Sequence, residues 1–360
     1  MTRLASIIKQ SECDFLNTYR GKLLPSQLKA LQALKNCRTG LSPTMRVVCD
    51  DCGHQRMVPH SCGHRHCPHC QHHESQQWIE NQVKKQLPAL YFMITFTLPR
   101  EFRALAWQHQ KAVYNLLFQC VTDTLQIFSL NDKQLKGIAG MIAVLHTHSR
   151  ALDFHPHIHT VMPAAVIDKA NRLWRKKEGK YLFDHKALAK VFRAKMLAGL
   201  VKLGIALPAK YPVKWVVDCK SVGCGDKALV YLGRYLYRGV IREKDILSLE
   251  DGLVTFRYID SDTKKTKIRK EPAAKFLWLV LQHVLPRGFR RARNFGFLHP
   301  NSKTLITLIQ LLLNFDPKRW LPKTRPRAQL LCECCGGVMV VIQTRIKPVE
   351  PLTIQHCLAF

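Results

Sequence analysis

Apolar residues recur at helical spacing through the first 45 or so positions, where Ile7, Ile8, Phe15, Leu16, Leu23, Leu28, Leu31 and Leu34 predict helix. A tract rich in cysteine and histidine, 49 to 73, leads into a polar helix expected around Glu74 to Gln86. The run Tyr91-Phe-Met-Ile-Thr-Phe-Thr-Leu98, bounded by Pro88 and Pro99, predicts a buried strand, followed by a long helix over about 101 to 128. Two more strands, about Met141 to Thr147 and His157 to Ile167, flank the short polar stretch Ser149 to Asp153, which suggests an antiparallel hairpin. Helical spacing returns at about 185 to 203, and Val213 to Cys219 predicts another strand. Gly223 and Gly225 then break the chain ahead of a helix at about 226 to 238. A hairpin of Val254 to Ile259 with Lys267 to Lys270 is closed by Pro272 and a helix to Val284; a helix at about 302 to 314 and a loop-rich C-terminal stretch follow. Strands alternating irregularly with helices predict an α+β chain with a mainly antiparallel sheet and no internal repeat.

Charge sharpens this picture. The chain has 56 Lys and Arg against 25 Asp and Glu, a formal charge of +31. The excess runs from Lys84 to Lys347 and is not confined to a tail. A dispersed excess of this size suits a polyanion, because cations along a phosphate backbone gain affinity by releasing condensed counterions. Nucleic acid is the expected partner. The longest apolar run, Leu305 to Phe315, is interrupted by Thr307, Gln310 and Asn314 and is too short to cross a bilayer. Residues Met1 to Gln10 hold no signal-peptide core, so a cytoplasmic location is expected. In that compartment the 14 cysteines read as metal ligands and small buried hydrophobes, not as disulfides.

Cys49 and Cys52 form one C-x2-C pair, and Cys67 and Cys70 a second. Two such pairs can offer four thiolates to one tetrahedral Zn2+ of structural type, with Gly53 and Pro68 suited to the tight turns. Cys62 and His66 lie between the pairs and could replace one ligand. Near the other end Cys332 and Cys335 form a further C-x2-C, with His356 and Cys357 downstream, which could make a second zinc site or an unmetallated thiol pair.

The stretch His155-Pro-His157-Ile-His159 carries more chemistry than any other. Strand alternation sends His157 and His159 to one face, so that two imidazoles converge on one divalent ion. His155 belongs behind them, at the strand entrance. On the partner strand His146 and His148 share a face, and the hairpin could bring either beside the pair. Imidazole takes zinc, manganese or iron alike; at a phosphodiester the ion would polarise the phosphate.

In Tyr231-Leu-Gly-Arg234-Tyr235-Leu-Tyr237-Arg238 a spacing of four puts Tyr231 and Tyr235 on one helix face. Together with the histidine strand and the cysteine tract, this resembles the two-tyrosine HUH transposases of the insertion-sequence ninety-one family. The likeness extends through Ile94-Thr-Phe-Thr-Leu-Pro99, Leu145-His-Thr147, the histidine stretch, the tyrosine helix and His283-Val-Leu-Pro-Arg-Gly-Phe289, roughly residues 45 to 300.

The resemblance implies a ferredoxin-like HUH endonuclease domain over 89–300, with a helical segment at 1–45, a zinc-binding module at 46–88 and a C-terminal region at 301–360. It implies rolling-circle transposition, with single-stranded DNA cleaved through a 5′-phosphotyrosine at Tyr231 and Tyr235, or at one of them alone as in the single-tyrosine members of the wider family. The expected catalytic ion is Mg2+ or Mn2+, held by His157, His159 and, on a spacing like that of three-histidine relaxases, His146. Arg234 and Arg238 would counter phosphate charge or lower a tyrosine pKa, and Arg287, Arg290, Arg291 and Arg293 are expected to contact DNA. A replication initiator or relaxase would share this chemistry, whereas a non-catalytic zinc DNA-binding protein would leave the histidine strand and tyrosine helix without a purpose.

Overall fold

The computed structural model describes residues 4–67, 70, 72–237, 240–260, 263–320 and 329–346. Helices α1 (Leu4–Tyr19) and α2 (Pro25–Asn36) come first. Pro25 opens α2, where its missing N–H goes unneeded, and the Leu24 N–H is taken by the Gln27 side chain at 2.8 Å. A hairpin of β1 (Thr44–Cys49) and β2 (Gln55–Pro59) follows, then α3 (His72–Val83), β3 (Tyr91–Thr97), α4 (Arg103–Gln108) and α5 (Gln110–Asn131).

Strands β4 (Ile138–Ala139), β5 (Met141–His148), β6 (Phe154–Pro163), β7 (Ala165–Asp168) and β8 (Leu173–Lys176) come next. After them the chain forms α6 (His185–Lys202), β9 (Val217–Ser221) and α7 (Asp226–Tyr237). It then forms β10 (Ile246–Glu250), β11 (Leu253–Ile259), β12 (Thr266–Pro272), α8 (Ala273–Leu281), β13 (Ala292–Phe295), α9 (Lys303–Leu312) and β14 (Met339–Ile346).

The central sheet has the order β13-β5-β6-β3-β9, and every neighbouring pair is antiparallel. Within it the run from β3 through α4 and α5 to β5, β6, α6 and β9 is a βαββαβ unit, the ferredoxin-like plan. Alternation along the strands divides the core. Leu145, Ile158 and Met162 face α5 and α6, where Leu117, Val121, Phe192 and Met196 are buried. Ile142, Val144 and Val161 face the other way, toward Ile79 and Val83 of α3 and Leu229 and Leu232 of α7. The histidines of β5 and β6 lie on this second face.

The N-terminal helices do not build a core of their own. Ile7, Ile8, Phe15 and Leu31 pack with Phe256, Phe276 and Leu277 from β11 and α8, and the Tyr19 ring stacks on Trp278 at 4.9 Å. Three departures from the sequence expectation concern strands. The strand expected at 213 begins at Val217, since Val213 and Val216 point into solvent. A β1–β2 hairpin runs into the cysteine tract, and the expected C-terminal loop contains β14, paired antiparallel with β1. Strands β9 and β14 are held by partners distant in sequence, which local periodicity does not register.

Candidate metal and nucleophile centre

On β6, Ile158 enters the core while His157 and His159 project from the opposite face. Across the ladder His146 of β5 lies opposite His157. The ligand nitrogens of His146, His157 and His159 all lie within 4.8 Å of one another. His148 does not join them. A register shift between His146 and His148 sets it opposite Phe154, and its ring packs against Phe154 and His283 with centroids 5.8 and 5.6 Å away.

The hydrogen bonds fix which nitrogens remain free. His157 donates from Nδ1 to the His155 carbonyl at 2.6 Å, and His159 Nδ1 pairs with Thr95 Oγ1 at 2.9 Å, so each presents Nε2 to the cluster. His146 Nε2 is buried without a hydrogen-bond partner. Burial holds His146 and His157 well below the ordinary imidazole range, and holds His159 at about 4 against the upward pull of Asp218. Three neutral imidazoles with an orphaned nitrogen among them fit a divalent cation. His155 stands behind the site, with Arg103 donating to its Nδ1 at 2.7 Å.

Helix α7 carries the tyrosines over this cluster. The Tyr231 ring lies 6.1 Å from His146 and 6.0 Å from His159, centroid to centroid, and the residue is 41% exposed. Tyr235 is half-buried and stacks on His146 at 3.3 Å with 15° between the planes. Its hydroxyl has a structural duty. Strand β13 starts at Ala292, so Leu145 N–H donates to the Arg291 carbonyl at 2.9 Å, and two residues on Thr147 N–H donates to Tyr235 Oη at 3.2 Å. Burial raises both phenols above their usual value; Arg150 pulls Tyr231 back down, and Arg291 does so for Tyr235.

The glycine inside Tyr231-Leu-Gly233-Arg-Tyr235 sets the helix height. A Cβ there would sit 2.3 Å from Ile79 Cγ1 of α3, and Ser75 Oγ donates to the Gly233 carbonyl at 2.9 Å. Arg234 is exposed on the same helix, and Arg238 lies outside the described residues.

Of the basic segment, Arg287 and Arg290 are exposed. Arg293 lies over the Phe118 ring at 4.2 Å and donates to Asn115 Oδ1 at 2.6 Å. Arg291 corrects the expectation of a DNA contact: it is only 7% exposed, and donates to His283 Nε2 at 2.8 Å and the His283 carbonyl at 2.9 Å. His283 in turn pairs through Nδ1 with Thr147 Oγ1 at 3.1 Å, behind the tyrosine helix. Thr95 and His283 lie in motifs that the sequence singled out, but their roles and that of Arg150 were not readable there, since each acts across strands or elements far apart in the chain.

The single zinc site expected from Cys49, Cys52, Cys67 and Cys70 is replaced by two clusters. Cys67 and Cys70 join Cys37 and Cys62, with Cys37 Sγ 3.4 Å from each of the first two. Cys49 and Cys52 join Cys332 and Cys335. The reason lies in β2, whose five residues separate the tip of the hairpin from the loop at 62–70 by about 16 Å. Hydrogen bonding within the first cluster, with burial, pushes the Cys37 and Cys67 thiols far up, while Cys62 and Cys70 are held low by the same neighbours. Four sulfurs within 4.8 Å of one another suit a Zn2+ ion, which takes them as thiolates. Cys37, at the end of α2, has no paired cysteine to mark it in the sequence.

These features define a class: α+β proteins that hold a tyrosine helix over a three-histidine cluster and carry cysteine sites of zinc type. Residues 140–304 match the family model described as "Putative transposase", and residues 7–98 match the IS91 "Transposase zinc-binding domain". The chain is 31% identical to "Putative transposase y4qJ" of Sinorhizobium fredii over 77% of its own length and 75% of the relative's. It is 24% identical to the transposase for insertion sequence element IS801 of Pseudomonas savastanoi pv. phaseolicola, over 82% of this chain and 76% of that one. Among solved structures, the conjugative relaxase TrwC in complex with oriT DNA aligns over 62% of this chain and 72% of its own, at 14% identity and a TM-score of 0.27. The chain belongs to the IS91 family of transposases. Among the described residues no helix is long and apolar enough to cross a membrane.

Proposed function

We propose that this transposase cleaves and rejoins single-stranded DNA by tyrosine transesterification in rolling-circle transposition, with Tyr231 as the first nucleophile. The observation that carries the reading is an exposed tyrosine set about 6 Å, ring to ring, from two imidazoles of a neutral three-histidine cluster. A divalent ion held by His146, His157 and His159 would polarise the scissile phosphate and offset the charge gathered in the transition state. An all-imidazole set suits Mn2+ better than Mg2+, which prefers oxygen ligands. Tyr231 Oη attacks phosphorus and gives up its proton, the bond to the 3′-oxygen breaks, and that oxygen leaves as a hydroxyl once protonated. DNA then stays linked through a 5′-phosphotyrosine, and attack by a new 3′-hydroxyl reverses the step, conserving the bond energy.

Tyr235 can attack only after its hydroxyl releases Thr147 N–H, which fits a second, later transfer. Arg150 and the exposed Arg234 would counter charge at the phenolate or phosphate, and Arg287 and Arg290 would hold the DNA backbone. Family membership favours transposition over replication initiation or conjugative nicking by the same chemistry.

The test is a labelled single-stranded oligonucleotide carrying an element end, mixed with protein and Mn2+. Wild type should give a denaturation-resistant adduct that maps to the Tyr231 peptide. Tyr231→Phe should lose it, and Tyr235→Phe should keep the first adduct but fail in complete transposition. DNA attached to neither tyrosine would overturn the mechanism.

A further inference from the structure

The cysteine cluster at the tip of the β1–β2 hairpin takes only half its thiols from the region matched by the zinc-binding family model, which ends at residue 98. The other half come from Cys332 and Cys335. We propose that Cys49, Cys52, Cys332 and Cys335 bind a second structural Zn2+, distinct from the one suited to Cys37, Cys62, Cys67 and Cys70, and that this ion fastens the C-terminal strand to the N-terminal hairpin.

Three observations carry it. First, the sulfur positions fit. Cys49 and Cys335 Sγ atoms are 3.4 Å apart, Cys52 and Cys332 3.6 Å, and all four lie within 4.8 Å of one another. Tetrahedral zinc with Zn–S bonds of about 2.3 Å sets its sulfurs about 3.8 Å apart. Second, both pairs are built as knuckles of one design. In Cys49-Asp-Asp-Cys52-Gly53-His54 the Cys49 N–H donates to the His54 carbonyl at 2.9 Å and Gly53 N–H to the Cys49 carbonyl at 3.0 Å. In Cys332-Glu-Cys-Cys335-Gly336-Gly337 the Cys332 N–H donates to the Gly337 carbonyl at 2.8 Å and Gly336 N–H to the Cys332 carbonyl at 2.9 Å. Gly53 and Gly336 take φ values of 70° and 75°, which side-chain-bearing residues seldom adopt. Two segments 280 residues apart thus share one turn, and each turn aims a pair of thiols at the same point.

Third, the surroundings exclude the ordinary reason for clustered cysteines. Cys49 and Cys332 are buried with Val47, Val58 and Met339, but Cys52 and Cys335 are exposed. Four thiols gathered half in water gain little from packing, whereas thiolates on a metal need no apolar cover. The knuckles also touch. A Cβ on Gly337 would lie 1.9 Å from Asp51 Oδ2 and 3.2 Å from Cys49 Sγ, which shows how closely the two tips approach. Arg56 of β2 forms an ion pair with Glu333 across the same gap. The antiparallel ladder continues the joint, with Cys49 opposite Met339 and Val47 opposite Val341.

Full-length protein with His146, His157 and His159 replaced by alanine, so that only cysteines remain to hold zinc, should carry two zinc ions per chain by elemental analysis after purification under reducing conditions. On that background Cys332→Ser combined with Cys335→Ser should carry one. Wild-type protein gives an independent reading, because Cys334 is exposed and outside the cluster. In the metal-loaded chain an alkylating reagent should modify Cys334 rapidly and Cys335, also exposed, at least tenfold more slowly. A chelator should abolish that difference. One zinc in the chain without those histidines, two once Cys332 and Cys335 are also replaced, or Cys335 modified as fast as Cys334 would each overturn the proposal.

Discussion

Thr95 carries no charge and belongs to no metal motif, yet its hydroxyl pairs with His159 Nδ1 and so decides which nitrogen of that ring faces the cluster. Thr95→Val keeps the shape and removes the partner. Mn2+ affinity, read by titration calorimetry, should fall about 10- to 100-fold, as for other groups that orient a ligand from behind; unchanged affinity would dissociate Thr95 from the site. The nucleophile's proton makes a second prediction. Burial raises the Tyr231 phenol above its ordinary value, so at neutral pH it is protonated and the reactive phenolate is scarce. Below that raised pKa the phenolate fraction grows with pH, so single-turnover adduct formation should climb about tenfold per pH unit between about pH 7 and 9. Arg150→Ala, which removes a nearby cation favouring the phenolate, should slow the reaction across that window. A flat profile would mean that proton loss from tyrosine does not limit the step. The histidines and tyrosines themselves were legible in the sequence because their spacing, two in a strand and four in a helix, places them on one face. The roles of Thr95, Arg150 and His283 were not, since each reaches the site through a contact between segments far apart in the chain.

Helix α7 depends on a close approach to α3 at Gly233. Gly233→Ala would improve helix propensity in isolation, yet its Cβ would collide with Ile79. The packing conflict should dominate, costing about 1–3 kcal/mol of stability. Adduct formation should fall by a larger factor than the loss of folded protein explains, because the tyrosines are lifted from the histidines. Denaturant melts and adduct yield, measured together, check this; a variant as stable and active as wild type would show that α7 can shift freely. At this scale the sequence foretold elements with strong periodicity and local punctuation. Strand β3 alternates along its length between two prolines, and α6 begins where Asp184 caps it, accepting from Lys186 N–H at 2.8 Å. Strand β14 escaped notice, since most of its residues are exposed and its pairing with β1 crosses nearly the whole chain. The same long-range pairing undid the expected partnership of Cys49 and Cys52 with Cys67 and Cys70. Spacing told which cysteines come in pairs, but not which pairs meet.

The +31 charge gives the whole molecule a field that favours polyanions, and the arginines divide into those that face solvent and those that hold the fold. Replacing Arg287 and Arg290 with alanine should weaken single-stranded DNA binding and lower the slope of log affinity against log salt by about 1.4, if each meets one phosphate. Arg291→Ala should leave that slope alone and instead cost about 1.5–3 kcal/mol of stability through the lost bonds to His283. Fluorescence anisotropy over a salt series, with thermal melts, separates the two; an altered slope for Arg291→Ala would mean that it reaches DNA after all. The β1–β14 ladder also imposes an order in time. A ribosome adds about 5–20 residues per second. Cys335 lies 286 positions after Cys49, so the first knuckle waits about 15–60 s for its counterpart. Every molecule passes through an interval in which its central sheet can be assembled while its hairpin still lacks a mate, and a nascent chain halted before residue 332 never leaves it.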